Sequence, residues 1–262
     1  MAGRVIEIAG RKVGEGYPPI ISAEVGLNHN GDMGIAIALM FEAKRAGCDA
    51  VKFQNYSTAD FVKNRYTTYD NGHGFSEPMW SLCQRCELAY EDLALLKHEA
   101  DKLGIIFHST PTSREGVDDL VKLGVPVLKN GADYWENEFL GDYMLEQKIP
   151  CVFSTAKGHG YSDLWTDEAH LHPSLIVLHT VREYPAKDWN KERFYLLQSF
   201  YPLVGYSDHT IGVDAAIEAA RLGAVWIEFH LTLEKTLPGP DHWYSKDPNE
   251  VSKLVKAIRG ME

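Results

Sequence analysis

Two lysines stand inside segments of the chain that are otherwise apolar. Lys52 lies in AVKFQ, and Lys129 lies in VPVLKNG. An ammonium group buried without a partner is costly, so each lysine needs an anion close to it. If both point to one place, they form a pocket for a phosphate or carboxylate ligand. The alternative is that each lysine pairs with a carboxylate of the chain itself, such as Glu24 or Glu228.

Hydroxyl side chains close three similar apolar segments and can complete such a pocket. Thr110 follows IIFHS, Ser154 follows PCVF, and Ser207 follows LVGY. Hydroxyls donate hydrogen bonds to phosphate and carboxylate oxygens. The lysines and hydroxyls together therefore predict a binding site for a small anion.

Two histidines, His209 and His230, close the last two apolar segments of this kind. A pair of imidazoles suits a borderline divalent metal that keeps open positions for water or substrate. No third histidine has a matching spacing, so the spacing alone does not establish a metal site. Four carboxylates lie close enough in the predicted arrangement to add oxygen ligands: Glu24, Asp208, Glu228 and Asp241.

The elements that carry these residues alternate between strand and helix. Apolar runs begin at Ile20, Ala50, Ile105, Val125, Pro150, Leu175, Leu203 and Ala224. Helical patterns such as YEDLALLKHEADKLG and VDAAIEAARLG lie between them, and several end in Gly. Near-continuous apolar strands that alternate with helices predict a parallel sheet buried on both faces. Eight such units predict an α/β fold, a single (β/α)8 TIM barrel over residues 18–262.

The barrel prediction gives the polar residues a common place. Active sites of TIM barrels lie at the C-terminal ends of the strands, and nearly every predicted strand here ends in polar side chains. Residues 1–17 read as a short β-hairpin before the barrel. Residues 56–87, rich in Tyr, Asn and Gly, are predicted to form an irregular loop over the barrel mouth.

Composition limits the classes of function. The formal net charge is −11, so the field of the whole protein repels nucleic acids. No apolar run approaches the roughly 20 residues that span a bilayer, and the N-terminus lacks the apolar centre of a signal peptide. The cytoplasm is therefore the expected location. Cys83 and Cys86 form a C-x-x-C without a second pair, so we expect no structural zinc site there.

Six blocks of the sequence, in order, resemble the sialic acid synthase family. They are AEVGLNHNGD, VKFQ, STP, VGYSDHT-x-G, IEFH and PGPDHWYS, and they extend from the first predicted strand almost to the last helix. The resemblance implies a synthase that condenses phosphoenolpyruvate with the open-chain aldehyde of a sugar. The products are a 3-deoxy-2-keto sugar acid and phosphate.

The same resemblance implies a role for individual residues. Lys52, Thr110, Lys129, Ser154 and Ser207 fall at positions that bind phosphoenolpyruvate. His209 and His230 match the ligands of a divalent metal, manganese or magnesium, and count with Glu24 and Lys52 as the catalytic residues. Gln54, Tyr184 and Asp241 match positions that contact the acceptor sugar.

The chain departs from the family pattern at several places. Ala132 stands where the family commonly has a Ser that helps to bind the donor. Lys157 and Arg182 add positive charge beside the predicted mouth. Either the acceptor carries its own anion, or these cations neutralise carboxylates such as Asp133. We also assign Arg182 to the acceptor-sugar site.

Family members also typically carry a C-terminal antifreeze-like domain, which lends an arginine to the sugar site of the partner subunit. The chain ends after the last predicted barrel helix, so we expect that arginine to be absent. Either Arg182 substitutes for it, or a separate protein completes the sugar site. The resemblance further implies a homodimer.

Two other functions stay open at this stage. One is a metal-dependent aldolase or isomerase on the same barrel, which would need the histidines but not the two lysines. The other is a catalytically decayed barrel that binds a sugar or an anion. Retention of both histidines, both lysines and Asp241 argues against decay.

Overall fold

A computed structural model describes residues 4–70, 74–155 and 172–261 of the 262-residue chain. In chain order its strands are β1 (Val5–Ile8), β2 (Arg11–Gly14), β3 (Ile20–Glu24), β4 (Ala50–Asn55), β5 (Thr68–Asp70), β6 (Ser76–Pro78), β7 (Ile106–Pro111), β8 (Leu128–Asn130), β9 (Cys151–Ser154), β10 (Leu175–Thr180), β11 (Val204–Asp208) and β12 (Trp226–His230). Its helices are α1 (Met33–Ala46), α2 (Thr58–Phe61), α3 (Met79–Cys86), α4 (Tyr90–Leu103), α5 (Arg114–Lys122), α6 (Glu138–Glu146), α7 (Lys191–Phe200), α8 (Asp214–Arg221) and α9 (Pro248–Arg259). A 3-10 turn covers Ala132–Tyr134.

Eight parallel strands form the barrel. Their order in the sheet is β7-β4-β3-β12-β11-β10-β9-β8, and β7 and β8 lie side by side where the sheet closes. Each barrel strand lies in one of the eight predicted apolar runs. The predicted (β/α)8 barrel is therefore confirmed, and so is the N-terminal hairpin, in which β1 pairs antiparallel with β2.

Apolar side chains fill both faces of the sheet. One core lies between the strands and the outer helices, and it includes Leu39, Leu96 and Phe194. A second core lies inside the barrel, where Ile20, Trp226 and their neighbours contact Ile8 and Val13 of the hairpin. The hairpin thus packs against the apolar interior. The polar strand ends lie at the opposite, C-terminal ends of the strands.

Residues 56–70 and 74–87 contain more regular secondary structure than the sequence suggested. They contain α2, the antiparallel pair β5–β6 and α3, so the prediction of a wholly irregular loop was wrong. These elements have three to eight residues each, too few for periodicity to stand out against a polar composition. The segment does line the barrel mouth, as predicted, through Phe61, Tyr69 and Met79.

Among the described residues, no helix is both long enough and apolar enough to cross a membrane.

Candidate active site

A cavity of about 270 Å³ opens at the C-terminal ends of the barrel strands. Strand register brings the polar ends together: Glu24 pairs with Lys52 on β4 and with His230 on β12, and Ser207 pairs with Glu228. The cavity contains eleven of the twelve site residues assigned from the sequence. They are Glu24, Lys52, Gln54, Thr110, Lys129, Ser154, Tyr184, Ser207, His209, His230 and Asp241.

The two lysines converge on one buried carboxylate at the base of the cavity. Nζ of Lys52 lies 2.8 Å from Oε1 of Glu228 and 2.9 Å from Oε2 of Glu24. Nζ of Lys129 lies 3.8 Å from the same Glu228 oxygen. The lysines therefore pair with the chain's own carboxylates, as the second sequence interpretation predicted, and they also line the cavity. Binding of an anion by the lysines stays a prediction.

Hydroxyl groups surround this ion cluster. Lys129 donates to Oγ of Ser154 at 2.8 Å, and Ser207 donates to Oε1 of Glu228 at 3.1 Å. Thr110 lines the same part of the cavity from β7. An anion that enters here meets two ammonium groups and three hydroxyls, which suit phosphate, together with the carboxylates of Glu24 and Glu228.

Burial and charge act in opposite directions on this cluster. Burial lowers the pKa of Lys52 to about 7, although Glu228 favours its charged form. Burial also lowers the pKa of Lys129, again against Glu228. Burial disfavours ionisation of Glu228, but Lys129 and Lys52 outweigh it and hold the pKa of Glu228 well below its usual range. An incoming anion would stabilise the charged form of both lysines.

The two histidines lie next to each other in the cavity wall. Their rings are edge-on, with centroids 5.6 Å apart. Nδ1 of His209 lies 2.7 Å from the carbonyl oxygen of Val181. A carbonyl only accepts, so Nδ1 carries the proton and Nε2 keeps a free lone pair. Burial lowers the pKa of His209 to about 4 and that of His230 well below the ordinary value. Both rings are therefore neutral near pH 7, the form that binds metals.

The residues around His230 fit a divalent metal that has few protein ligands. Nδ1 of His230 is buried and makes no hydrogen bond within the described chain, and Oδ2 of Asp241 lies 3.7 Å from it. Among the described residues, no group of three or more His, Cys, Asp and Glu side chains is arranged to hold a metal. A metal here would therefore be held by the two imidazoles and completed by water or substrate oxygens.

The residues assigned to the acceptor sugar lie in two different places. Gln54 donates to Oε1 of Glu24 at 3.4 Å, and the ring of Tyr184 lies 4.2 Å from that of His209 between centroids. Burial raises the pKa of Asp241 to about 6. Arg182, by contrast, is absent from the cavity wall and forms an ion pair with Asp133 on the surface.

The cations at the mouth were open to two interpretations. The Arg182 pair with Asp133 matches the interpretation in which these cations neutralise carboxylates. Lys157 lies outside the described residues. Ala132 lines the cavity beside Lys129 and Gly131.

Several polar residues at the strand ends contact other parts of the protein and do not line the cavity. His108 contacts Oγ of Ser22 at 2.8 Å and packs edge-on against Trp226. His179 contacts the carbonyl oxygen of Trp189. Asp208, which we considered as an oxygen donor for the metal, instead lies 2.8 Å from Nζ of Lys246.

Comparison with known proteins identifies the family. The NeuB family profile matches residues 39–262. The chain belongs to the NeuB family. Members of this family are phosphoenolpyruvate-dependent synthases of sugar acids. The resemblance seen in the sequence is thereby confirmed.

Individual NeuB relatives agree with this assignment. The N,N'-diacetyllegionaminic acid synthase of Legionella pneumophila is 36% identical, over 92% of this chain and 72% of its own length. The human N-acetylneuraminate-9-phosphate synthase is 30% identical, over 97% and 73%. The crystal structure of N-acetylneuraminic acid synthetase from Leptospira borgpetersenii, in complex with citrate, superposes with a TM-score of 0.88. It is 29% identical, and the match covers 99% of this chain and 89% of that one.

Sequence reasoning undervalued one member of this NeuB site. Glu228 is the common partner of Lys52, Lys129 and Ser207, whereas the sequence offered it as one of several possible counterions and oxygen ligands of a metal. The available signal was its place in the apolar run WIEFH, where a buried carboxylate needs cations. The apolar lining from Leu27, Phe61, Met79 and Leu82 carried no such signal.

Proposed function

We propose that the protein condenses phosphoenolpyruvate with the open-chain form of an uncharged N-acylated aldose. The products are a 3-deoxy-2-keto sugar acid and inorganic phosphate. The observation that carries the proposal is the convergence of two buried lysines and two neutral histidines in one cavity. The lysines suit the phosphate and carboxylate of the donor, and the histidines suit a metal that activates the aldehyde.

The donor side of the site binds and orients the anion. Lys52 and Lys129 would attract phosphoenolpyruvate, while Thr110, Ser154 and Ser207 donate hydrogen bonds to its oxygens. Holding C3 of the donor next to the aldehyde carbon removes much of the entropic cost of a bimolecular reaction. Ala132 places no hydroxyl beside Lys129, so donor binding would depend more heavily on the lysines.

The reaction forms a carbon–carbon bond at the expense of the C=C and C=O double bonds, and it replaces the phosphate oxygen on C2 with an oxygen from water. C3 of the donor bonds to the aldehyde carbon, water adds at C2, and the bond from C2 to the phosphate oxygen breaks. Glu24, held beside Lys52 and Gln54, is the proposed base that accepts the proton of the water. A divalent metal, manganese or magnesium, held by His209 and His230, would polarise the aldehyde oxygen when bound.

The acceptor side of the cavity favours an uncharged sugar. Asp133, Asp241 and Glu24 line it, whereas Arg182, the ion-pair partner of Asp133, does not. A phosphorylated acceptor would meet these carboxylates, because the two lysines of the described wall, Lys52 and Lys129, are assigned to the donor. Like charges in a desolvated site repel strongly. The names of the relatives differ on this point: that of the Legionella relative includes no phosphate, whereas that of the human relative does, so the acceptor class rests on the charges of the cavity.

The expected result is phosphate release that needs phosphoenolpyruvate, Mn2+ and one unphosphorylated aldose. The purified 262-residue chain is incubated with N-acetylmannosamine, its 6-phosphate, diacetylated amino sugars and non-acetylated sugars. Faster release with a 6-phosphate than with every uncharged acceptor would contradict the proposed acceptor class. Lys102→Ala serves as a control, because breaking its exposed ion pair with Glu99 on α4 should cost little.

The same assay distinguishes the proposed synthase from a metal-dependent aldolase or isomerase. A metal-dependent aldolase or isomerase would convert a sugar without releasing phosphate from phosphoenolpyruvate. No residue contact favours that function, and the buried lysines would have no role in it. A homodimer and a cytoplasmic location remain parts of the proposal, for which native mass measurement and cell fractionation are the direct tests.

A further inference from the structure

Lys246 is a buried lysine outside the cavity that none of these roles uses. It lies in the segment between β12 and α9, directly before Asp247, whose side chain caps the first turn of α9. Only 2% of the Lys246 side chain is exposed. Burial of an ammonium group is costly unless the group has a partner. The partner here is Asp208, which directly precedes His209 in the chain.

The backbone of Lys246 is tied to one metal-site histidine. Its N–H donates to the carbonyl oxygen of His230 at 2.9 Å, and its own carbonyl accepts from the N–H of Thr232 at 3.0 Å. Leu231 and Lys246 form a parallel bridge between these contacts. The backbone of Lys246 therefore holds the end of β12, where His230 stands.

The side chain of Lys246 is tied to the other histidine. Nζ lies 2.8 Å from Oδ2 of Asp208 and 3.4 Å from the carbonyl oxygen of Thr210, and these two residues flank His209. The second oxygen of Asp208 accepts from Tyr206 and from the N–H and hydroxyl of Thr210. The turn that carries His209 is thus fastened to the ammonium of Lys246.

Stability alone does not explain this ion pair. Replacing a buried ion pair with apolar residues of similar volume is often neutral or stabilising. Buried pairs are better attested as devices that fix one arrangement of the chain. Here the arrangement in question is the spacing between two loops, each of which carries one imidazole.

We propose that Lys246 is a positioning residue that sets the spacing of His209 and His230 and so determines the affinity for a divalent metal. This inference rests on the metal site of the proposed function. Residues behind metal ligands typically contribute about 10- to 100-fold in metal affinity. Removing the ammonium should weaken the metal site by a factor in that range and leave the anion pocket around Lys129 intact.

The test is direct Mn2+ binding to the full chain, measured by the electron paramagnetic resonance signal of free Mn2+. Lys246→Met should weaken Mn2+ binding by about 10- to 100-fold, and Lys246→Arg should restore part of it. The stabilisation of the protein by phosphoenolpyruvate without metal should stay unchanged. Asp49→Asn is the matched control, since Asp49 is a buried carboxylate paired with Arg11 and Arg259 at the opposite end of the barrel.

The outcomes separate positioning from plain stability. Asp49→Asn should lower the melting temperature but keep Mn2+ affinity within about twofold of wild type, as expected for distant sites. Lys246→Met with wild-type Mn2+ affinity would overturn the inference. The double variant Asp208→Asn, Lys246→Met leaves no unpaired charge. It replaces the single variant in the test if Lys246→Met folds poorly. Wild-type affinity in the double variant would equally overturn the inference.

Failure of the proposed function looks different. A wild-type chain that does not bind Mn2+ would overturn both the metal site and the role of Lys246. A wild-type chain that binds Mn2+ but releases no phosphate with any acceptor would contradict the proposed function alone. The contrast between Lys246→Met and Asp49→Asn would still decide the role of Lys246 in that case.

Discussion

Replacing Lys129 with methionine is expected to lower kcat/KM for phosphoenolpyruvate by about 10²–10³-fold without unfolding the protein. The side chain of Lys129 is 1% exposed, and its Nζ donates to Ser154 and to the carbonyl oxygen of Asn130. In this desolvated place a hydrogen bond from a charged donor to phosphate is far stronger than in water. Methionine has a similar shape, but it removes the charge and the hydrogen-bond donors.

The fold should tolerate this change because Glu228 keeps a partner. Lys52 remains 2.8 Å from Glu228, so no buried carboxylate is left without a cation. Lys52→Met, in contrast, removes the ion-pair partner of Glu24, and it should lower the melting temperature as well as the activity. Lys97→Met is the control, since its ion pair with Asp101 is on a helix surface. Unchanged binding of phosphoenolpyruvate by Lys129→Met would refute the assignment of the anion pocket.

Replacing His209 with alanine is expected to abolish Mn2+ binding and reduce phosphate release by about 10²–10³-fold or more. The Nδ1–H bond to the carbonyl of Val181 fixes the ring so that Nε2 faces the cavity, and alanine removes that nitrogen. Binding of phosphoenolpyruvate depends on the lysines, so its effect on the melting temperature should persist. The expected phenotype is a protein that binds the donor but does not react.

Chelation provides a second readout for the same residue. Wild-type activity should fall on addition of EDTA and return with Mn2+ or Mg2+, whereas the residual activity of His209→Ala should not respond. His98→Ala, an exposed histidine on α4, should behave as wild type. Wild-type activity that is indifferent to EDTA would contradict the metal assignment and would favour polarisation of the aldehyde by side chains alone.

The barrel could be predicted because its signal is repeated. Each strand is a short apolar run between helical patterns, and eight repeats leave few alternatives. The polar residues that end these runs, such as Ser207 and His230, met in one cavity because C-terminal ends of parallel strands share one end of the barrel. Tyr184 and Asp241 lie beyond the strands, so their positions, like the roles of all the site residues, depended on the family resemblance.

Pairings between distant side chains could be named only as alternatives. Arg182 and Asp133 are 49 residues apart, and the sequence offered their ion pair as one of two interpretations without a local signal to choose between them. Asp208 directly precedes His209 and looked like a metal ligand. In the folded chain its carboxylate lies against Lys246 instead of the cavity, because successive strand residues point to opposite faces. The short elements of residues 56–87 were missed because they lack the length over which periodicity is visible.

The most direct test of the central claim follows the bridging oxygen of phosphoenolpyruvate. The donor is labelled with oxygen-18 between C2 and phosphorus, and it is incubated with Mn2+, the preferred aldose and the full chain. Condensation with cleavage of the C2–O bond predicts that the label leaves with inorganic phosphate, while the sugar acid gains an unlabelled oxygen from water. Phosphate without the label would mean cleavage between phosphorus and oxygen, as in simple hydrolysis, and would contradict the proposed reaction.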